Sequence, residues 1–326
     1  MSQEHLQHEQ ELGQSGVKVP ALSFGTSGLG DMPNTYGYSV DEARGKATVE
    51  AIFDGPFKFL DTARNYGSGR SEARIGDVIR ERGGLPEGVV VSTKLDRDME
   101  TGRFDASRAR KSLEESLESL NLDRVHLLHL HDPEHATSLD EITGPDGAIA
   151  ELFRMKEEGI ADAVGLAAGN TEIMIQMLKD WDFDALITHN RYTLINRNAE
   201  PMMDLAAAKG TTVLNAAPYA GGVFAKGSAE HPRYVYQKAT DAMLEPVHRI
   251  EEICARHDVP PGALALQFSI RDPRVASTIC GISKAERIQQ TIDWANYPIA
   301  DAVWEEIATV PFATEDPEAT RAYEPD

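Results

Sequence analysis

The stretch "FKFLDTARNYGSG", residues 57–69, joins a strand-like run to a polar loop. Its apolar run stops at Asp61, and Tyr66 follows one short turn later among small and polar residues. A buried strand that ends on an acid places a carboxylate at the carboxyl edge of a sheet, where parallel α/β proteins carry their functional groups. The stretch therefore predicts a parallel strand followed by a functional loop.

Runs of the same kind recur along the whole chain. Segments with helical spacing lie between them, and in one of these Leu113, Leu117 and Leu120 fall on a single face. Eight strands that alternate with helices require parallel crossover connections, which most simply close into a (β/α)8 TIM barrel of the α/β class. The predicted strands are residues 21–26, 57–63, 89–95, 125–131, 163–168, 185–190, 212–218 and 276–282.

A doubly wound sheet is the alternative fold for this pattern. It requires a glycine-rich dinucleotide loop that leads directly from the first strand into a helix. The stretch "GTSGLGDMP", residues 25–33, supplies the glycines, but no helical pattern follows it directly. We therefore interpret the stretch as a loop at the mouth of a barrel.

The chain shows no linker rich in Gly, Ser or Pro, so a single barrel domain is predicted over residues 17–312. Residues 1–16 are expected to form a disordered N-terminal tail. Residues 313–326 are acidic and contain Pro, and they are expected to form a flexible tail or a flap over the barrel mouth. Residues 219–236 exceed the usual length of a strand-to-helix loop, and we expect them to cover something.

Composition restricts the partners of the protein. Its 326 residues include 53 acids against 32 Lys and Arg, a formal net charge of -21. Such a charge opposes binding to nucleic acid and to anionic membrane surfaces. An anionic small molecule remains compatible, provided that Lys or Arg side chains gather around it. The sequence leaves open whether the protein is a monomer or a homo-oligomer.

Cysteine usage and the N-terminal composition bear on location. Cys254 and Cys280 are too few for a disulfide framework, which fits a reducing compartment. The first residues lack the apolar core of a signal peptide, and no run approaches the roughly 20 apolar residues of a membrane span. A cytoplasmic protein is predicted.

Four polar residues fall at or just after the ends of neighbouring predicted strands: Asp61, Tyr66, Lys94 and His131. A phenol is a weak acid, but a nearby ammonium group favours its phenolate and lowers its pKa. Lys94 would supply that charge, Asp61 would neutralise Lys94, and His131 would orient the reacting oxygen. The set predicts proton transfer at a carbonyl or alcohol oxygen while a hydride moves at the attached carbon.

Longer motifs resemble a known family. "DTARNYGSGRSEARIG", "STK", "HLLHLHDP" and "NAAPYAGGVF" are similar to motifs of the aldo-keto reductase superfamily, and the similarity extends over residues 22–310. Within it the chain resembles the branch of the D-threo-aldose 1-dehydrogenases and pyridoxal 4-dehydrogenases. The resemblance implies a (β/α)8 barrel that binds NAD or NADP at its mouth, holds no metal and oxidises or reduces aldoses, aldehydes or ketones. It also implies that the catalytic residues are Asp61, Tyr66, Lys94 and His131.

The resemblance further implies a set of cofactor-binding positions. Lys284 and Arg287 would supply local positive charge, and Gln290 would meet the adenine amino group. Gly281 and Ser283 stand where NADP-selective relatives often carry a base, which slightly favours NAD. The full set is Gly25, Thr26, Asp61, Ala167, His189, Asn190, Pro218, Gly221, Gly281, Ser283, Lys284, Arg287 and Gln290.

Two other functions fit parts of the pattern. His129 and His131 have the H-x-H spacing that places both side chains on one side of a strand, as in zinc hydrolases of the barrel class. Of the residues at later strand ends, His189 alone could join them, so no metal is predicted. The remaining alternative is a barrel that binds a cofactor and acts as a non-catalytic subunit.

Overall fold

Parallel strands form the centre of the computed structural model, which describes residue 6, residues 8–319 and residue 321. Within this part of the chain, eight parallel strands close into a barrel in the order β12-β3-β4-β5-β6-β7-β8-β9. The predicted (β/α)8 barrel is thereby confirmed. In chain order the strands are β1 (Glu9–Glu11), β2 (Lys18–Pro20), β3 (Leu22–Gly25), β4 (Phe59–Asp61), β5 (Val90–Leu95), β6 (Val125–His131), β7 (Ala161–Ala167), β8 (Ala185–His189), β9 (Thr212–Ala216), β10 (Arg233–Tyr234), β11 (Gln237–Lys238) and β12 (Val275–Gly281).

Helices connect the barrel strands and cover them. The helix after β5 begins behind Asp105, whose side chain accepts a hydrogen bond from the amide of Arg108 at 2.9 Å, and ends at Asn121, which has a left-handed φ of 55°. Leu113 and Leu120 of this helix are buried against the barrel. The described α-helices span Pro33–Tyr36, Glu42–Phe53, Arg70–Glu81, Ala106–Leu120, Asp140–Thr143, Ala148–Glu157, Thr171–Asp180, Glu200–Lys209, Val223–Lys226, Asp241–Arg256, Pro261–Ile270, Glu286–Ala295 and Asp301–Ile307. Of the helices in the described part, none has the length and apolar character needed to cross a membrane.

A hairpin closes the N-terminal end of the barrel. Strand β1 pairs antiparallel with β2, and Leu12 and Val19 are fully buried in one cluster with Phe59 and Leu214 of the barrel interior. The disordered tail predicted for residues 1–16 is therefore wrong for its described part. The prediction missed this plug because a few apolar side chains in a polar segment are enough to anchor it.

The C-terminal segment packs on the loop that follows β8 at the barrel mouth. Arg191 donates from Nη1 to Glu318 at 2.6 Å and from Nη2 to Asp316 at 2.6 Å. The described part of residues 313–326, which were predicted to form a flexible tail or a flap, thus contacts this loop, and residues 320 and 322–326 lie outside the described residues. Acidic residues that look solvated in the sequence here neutralise a buried guanidinium.

Residues 219–236 also fold at the mouth, as expected for a segment that covers something. They begin with a 3-10 helix over Ala220–Gly222 and continue through a short helix into β10. The ring of Tyr236 then packs edge-on against Tyr36, with centroids 5.9 Å apart. This segment, which follows β9, therefore packs against the connection that follows β3.

Several observed strands end earlier than predicted. The predicted residues 57–63 become Phe59–Asp61, and 212–218 become Thr212–Ala216. Ala217 has a φ of 55°, a left-handed conformation that a strand does not contain. The backbone leaves the sheet at these points because the residues that follow form the mouth loops.

One buried acid lies between the barrel and its helices. Glu72, on the helix after β4, is fully buried and accepts a hydrogen bond from the Thr93 hydroxyl at 2.6 Å. Burial raises the pKa of Glu72 from 4.5 to about 7, although hydrogen bonds from Thr93 and Ser116 oppose the shift. Because the folded pKa lies above the unfolded value, the stability that this proton provides is complete below the unfolded pKa and lost as pH rises through the folded one.

The variant Glu72→Gln should remove this pH dependence. Gln keeps the shape but cannot ionise, so the Tm of the variant minus that of wild type should be larger at about pH 8 than at about pH 5. Thermal unfolding at the two pH values measures the difference, with exposed Glu305→Gln as the matched control. Equal differences at both pH values would show that Glu72 does not titrate in this range.

Candidate active site

A buried ion pair lies at the mouth of the barrel, where β4 and β5 end. The ammonium group of Lys94 is 2.9 Å and 2.8 Å from the two carboxylate oxygens of Asp61, and both residues are at most 3% exposed. Ser92 donates a further hydrogen bond to Asp61 at 3.0 Å, and Lys94 donates to the Thr62 carbonyl at 2.6 Å. These additional bonds satisfy the two charges, which would otherwise be costly to bury.

The hydroxyl of Tyr66 completes this group. Lys94 donates to it at 3.1 Å. Tyr66 is held by a close approach of two backbone segments, because a Cβ at Gly67 would stand 1.9 Å from the Gly30 carbonyl oxygen. Gly67 also has a φ of 61°, which glycine adopts without strain. The structure thus brings Lys94 together with Asp61 and Tyr66, which belong to a separate stretch of sequence.

The electrostatics of Tyr66 differ from the sequence-based expectation. Burial, followed by the negative charge of Asp61, raises the pKa of Tyr66 well above its usual value. The ammonium group of Lys94 does not bring this pKa below its usual value, as had been expected, because burial and the Asp61 carboxylate outweigh its effect. The raised pKa favours the neutral phenol form of Tyr66, with its hydroxyl proton in place.

His131, at the end of β6, faces the Tyr66 ring edge-on, with centroids 5.9 Å apart and an interplanar angle of 83°. Its Nδ1 lies 2.7 Å from Asp96 Oδ1, and the other oxygen of Asp96 accepts from the Asn65 amide at 2.8 Å. Burial alone would lower the pKa of His131, but the carboxylates of Asp132 and Asp96 raise it above its usual value. A protonated imidazole next to the phenol is favoured as a result.

Sequence reasoning missed both of these carboxylates. Asp96 directly follows the strand that carries Lys94, and Asp132 directly follows His131. Their positions just after barrel strands could have identified them as residues of the mouth. Asp132 Oδ2 lies 3.6 Å from His131 Nε2, on the opposite side of the ring from Asp96. The imidazole is therefore flanked by two acids.

The cofactor positions implied by the resemblance fall into two groups, and the first lies at or after the ends of strands β3, β4, β7, β8 and β9. Gly25 pairs with Asp61 in the register of β3 and β4, and Thr26 donates its hydroxyl to the Asp61 carbonyl at 3.0 Å. His189 turns toward the C-terminal segment, with Nε2 3.2 Å from Glu318. The positions that end or follow β7, β8 and β9 are Ala167, His189, Asn190, Pro218 and Gly221.

The second group lies past β12. Gly281 ends this strand and is exposed, and no described atom comes within 4 Å of the place where a Cβ would stand. The following helix begins at Glu286. No side chain caps it, but the amides of Arg287 and Ile288 donate to the carbonyls of Lys284 and Ala285 at 3.1 Å and 3.0 Å. The basic side chains of this region, rather than these amides, are therefore available to a ligand. The members of this group are Gly281, Ser283, Lys284, Arg287 and Gln290.

Two further basic residues, which sequence reasoning missed, join this second group. Arg44 donates from Nε to the Ser283 carbonyl at 2.7 Å across 239 positions of sequence. The ammonium group of Lys226 lies 4.6 Å from the centre of the Tyr38 ring. Burial and the charge of Arg287 lower the pKa of Lys226. Cations that repel one another favour an anionic ligand, and this donor set fits the phosphates of a dinucleotide.

His129 and His131, whose spacing suggested a metal site, have separate surroundings in the structure. Among the described residues there is no group of three or more His, Cys, Asp or Glu that could hold a metal ion. His129 is fully buried, and burial followed by the charge of Lys94 lowers its pKa well below the usual value. A Cβ at Gly165 would stand 2.3 Å from His129 Nδ1, so this glycine makes room for the ring. His129 is a neutral core imidazole.

A (β/α)8 barrel with a cluster of polar side chains at the C-terminal ends of its strands has the architecture of the barrel enzymes, whose active sites lie at this end. The comparison with family profiles narrows the class. The Aldo/keto reductase family matches residues 21–310, and the chain belongs to this family. The protein is accordingly an NAD(P)-dependent oxidoreductase. The family expected from the sequence motifs is confirmed.

Individual relatives agree with this placement. D-threo-aldose 1-dehydrogenase from Pseudomonas sp is 29% identical over 320 residues, covering 90% of this chain and 94% of its own. L-galactose dehydrogenase from Arabidopsis thaliana is 30% identical over 286 residues, covering 86% of each chain. An aldo-keto reductase from Bacillus halodurans, solved in its holo form, shares the fold with a TM-score of 0.77 at 20% identity, covering 97% of this chain and 100% of that one.

The variant Asp96→Asn tests the flanked imidazole. It removes a carboxylate 2.7 Å from His131 Nδ1 while keeping a side chain of the same shape, so the pKa of His131 should fall. Titration of the His131 ring by NMR measures the change, and the exposed Asp140→Asn is the matched control. A pKa of His131 that stays constant or rises in Asp96→Asn would contradict this electrostatic description.

Proposed function

We propose that the protein transfers a hydride between C4 of a nicotinamide dinucleotide and the carbonyl or alcohol carbon of an aldose or aldehyde, with Tyr66 as general acid and base. The observation that carries the proposal is the contact of one ammonium group, that of Lys94, with both Asp61 and the Tyr66 hydroxyl. A proton donor of this kind next to an imidazole suits a reaction in which charge develops on a single oxygen.

Each side chain has a separate role in this proposal. When bound, the nicotinamide supplies or accepts the hydride. In reduction, the Tyr66 hydroxyl passes its proton to the substrate oxygen, and Lys94 stabilises the phenolate that remains. His131, held by Asp96, donates a hydrogen bond to the same oxygen and orients it. In oxidation, Tyr66 takes up the proton, and its raised pKa makes this direction favour alkaline conditions.

For the cofactor, the basic cluster of Arg44, Lys226 and Arg287 supports a dinucleotide whose phosphates lie past β12. Charge-assisted hydrogen bonds from guanidinium groups are among the strongest that phosphates accept. We propose NAD as the preferred form, because Gly281 and Ser283 carry no charge. Fluorescence titration of NAD and NADP measures this preference directly.

The substrate class in the proposal rests on the relatives and on the acidic mouth together. The two dehydrogenases named above act, by their names, on aldoses. A further relative, 27% identical over 330 residues, is a pyridoxal 4-dehydrogenase from Microbacterium luteolum. Aldoses and pyridoxal both carry hydroxyl groups near the reacting carbon. Hydroxyl groups suit a mouth that contains carboxylate acceptors, since these accept strong hydrogen bonds.

The variant Tyr66→Phe should separate catalysis from cofactor binding. It removes one hydroxyl and keeps the ring, so kcat should fall about a hundredfold or more. The Kd of the dinucleotide should change by less than about threefold, since the lost group acts in the chemical step. Steady-state rates of aldose oxidation and aldehyde reduction, with a fluorescence titration of the cofactor, give both quantities.

Two controls make this result specific. Tyr297→Phe removes a hydroxyl that donates to the Asp258 carbonyl outside the proposed site, and its kcat should match wild type. Arg287→Ala should show the opposite pattern to Tyr66→Phe, with weaker cofactor binding and nearly normal kcat at saturating cofactor. Wild-type turnover in Tyr66→Phe would exclude Tyr66 as the proton donor, and a barrel that binds cofactor without any turnover would support the non-catalytic alternative.

A further inference from the structure

Asp132 occupies an unusual backbone position at the mouth. It follows the last residue of β6 and has a φ of 44°, in the left-handed region that few residues other than glycine, Asn and Asp adopt. Its amide donates to the Ala167 carbonyl at 2.8 Å, and its carbonyl accepts from the His135 amide at 3.1 Å. Hydrogen bonds on both sides therefore fix this conformation and with it the direction of the side chain.

The two acids that flank His131 are not equivalent. Asp96 is 2.7 Å from Nδ1, its side chain is 3% exposed, and its second oxygen is occupied by the Asn65 amide. The side chain of Asp132 is 23% exposed, and its carboxylate lies 3.6 Å from Nε2, beyond hydrogen-bond distance. Asp96 is thus an internal support for the ring, whereas Asp132 opens to the mouth.

The carboxylate of Asp132 has acceptor capacity that the protein does not use. Among the described residues no group donates a hydrogen bond to it. Burial opposes its charge, but neighbouring cations and imidazoles lower its pKa, so it is negative at neutral pH. The charged or titratable groups that face it are His131, His189, His135, Arg97 and Tyr66. A partly buried anion without donors is a site for a ligand that brings its own N–H or O–H groups.

We propose that Asp132 is a specificity-determining residue whose carboxylate accepts a hydrogen bond from a hydroxyl group of the substrate adjacent to the reacting carbon. The inference rests on the proposed function and adds to it the chemical class of substrate, a hydroxylated aldehyde or aldose. The Asp132 carboxylate lies 3.6 Å from His131 Nε2 and near enough to Tyr66 to raise its pKa, so a hydroxyl bound by Asp132 is held near the carbon that exchanges hydride. A plain aldehyde leaves this carboxylate without a donor.

The matched substrates glyceraldehyde and propanal isolate this contact, because they have the same carbon chain and differ in two hydroxyl groups. Wild type should reduce glyceraldehyde with the higher kcat/KM. In Asp132→Asn the ratio of kcat/KM for glyceraldehyde to that for propanal should fall about tenfold, as expected when a charged acceptor is replaced by the neutral amide of Asn. The loss should lie mainly in KM for glyceraldehyde.

The variants are chosen to separate substrate contact from folding. Asn tolerates the left-handed backbone of position 132, so Asp132→Asn should fold normally. Asp132→Ala, which leaves no acceptor, should lower the ratio at least as much despite its backbone strain. The exposed Asp140→Asn removes one negative charge from the same connection and should leave the ratio at the wild-type value. Circular dichroism and cofactor titration verify that each variant is folded.

The outcomes distinguish this inference from the function on which it rests. A lowered ratio in both Asp132 variants supports the inference. Equal losses with both aldehydes, or an unchanged ratio, would overturn it and leave the oxidoreductase assignment intact, because such a result shows a structural role. If wild type turns over neither aldehyde nor any aldose while it binds cofactor, the proposed function itself fails, and the role of Asp132 fails with it.

Discussion

The arrangement of the mouth depends on the ion pair between Asp61 and Lys94. Burying two charges is costly, and the pair persists because Ser92 and the Thr62 carbonyl satisfy the remaining hydrogen-bonding capacity. The register of β4 and β5 places Asp61 opposite Ser92, two residues before Lys94, so the pair follows from the closure of the barrel. In this arrangement Lys94 directs an N–H at the Tyr66 hydroxyl. The ion pair as a whole carries no net charge, so it does not ionise the phenol.

A second charged group faces the first across the Tyr66 ring. There the imidazole of His131 lies between Asp96 and Asp132, which together favour its protonated form. The substrate oxygen in the proposed reaction would therefore meet a neutral phenol and a positive imidazole, two donors that stabilise developing negative charge. The same geometry leaves the Asp132 carboxylate available to a hydroxyl group, which links the chemistry of the site to the class of substrate.

The sequence predicted those parts of the site that depend on local order. Asp61, Lys94 and His131 end strands, and the ends of neighbouring parallel strands meet, so their proximity followed from the fold. Contacts such as that between Arg44 and Ser283, across 239 positions, have no local pattern and could not be predicted. The N-terminal hairpin and the C-terminal segment were missed for a related reason, because their polar residues are ordered by tertiary contacts with Thr212, Arg191 and His189. The expected low pKa of Tyr66 failed because it omitted burial and the charge of Asp61.

The most direct test of the account is the single-turnover rate of hydride transfer in Lys94→Met, measured with the dinucleotide bound. Met fills the same space without the ammonium group, so the account predicts a rate about a hundredfold or more below wild type while cofactor affinity is retained. Lys94→Met/Asp61→Asn, which removes the unpaired carboxylate, should be equally slow and confirms that the loss is not one of folding. A rate near that of wild type in either variant would contradict the claim that this ion pair makes Tyr66 an effective proton donor.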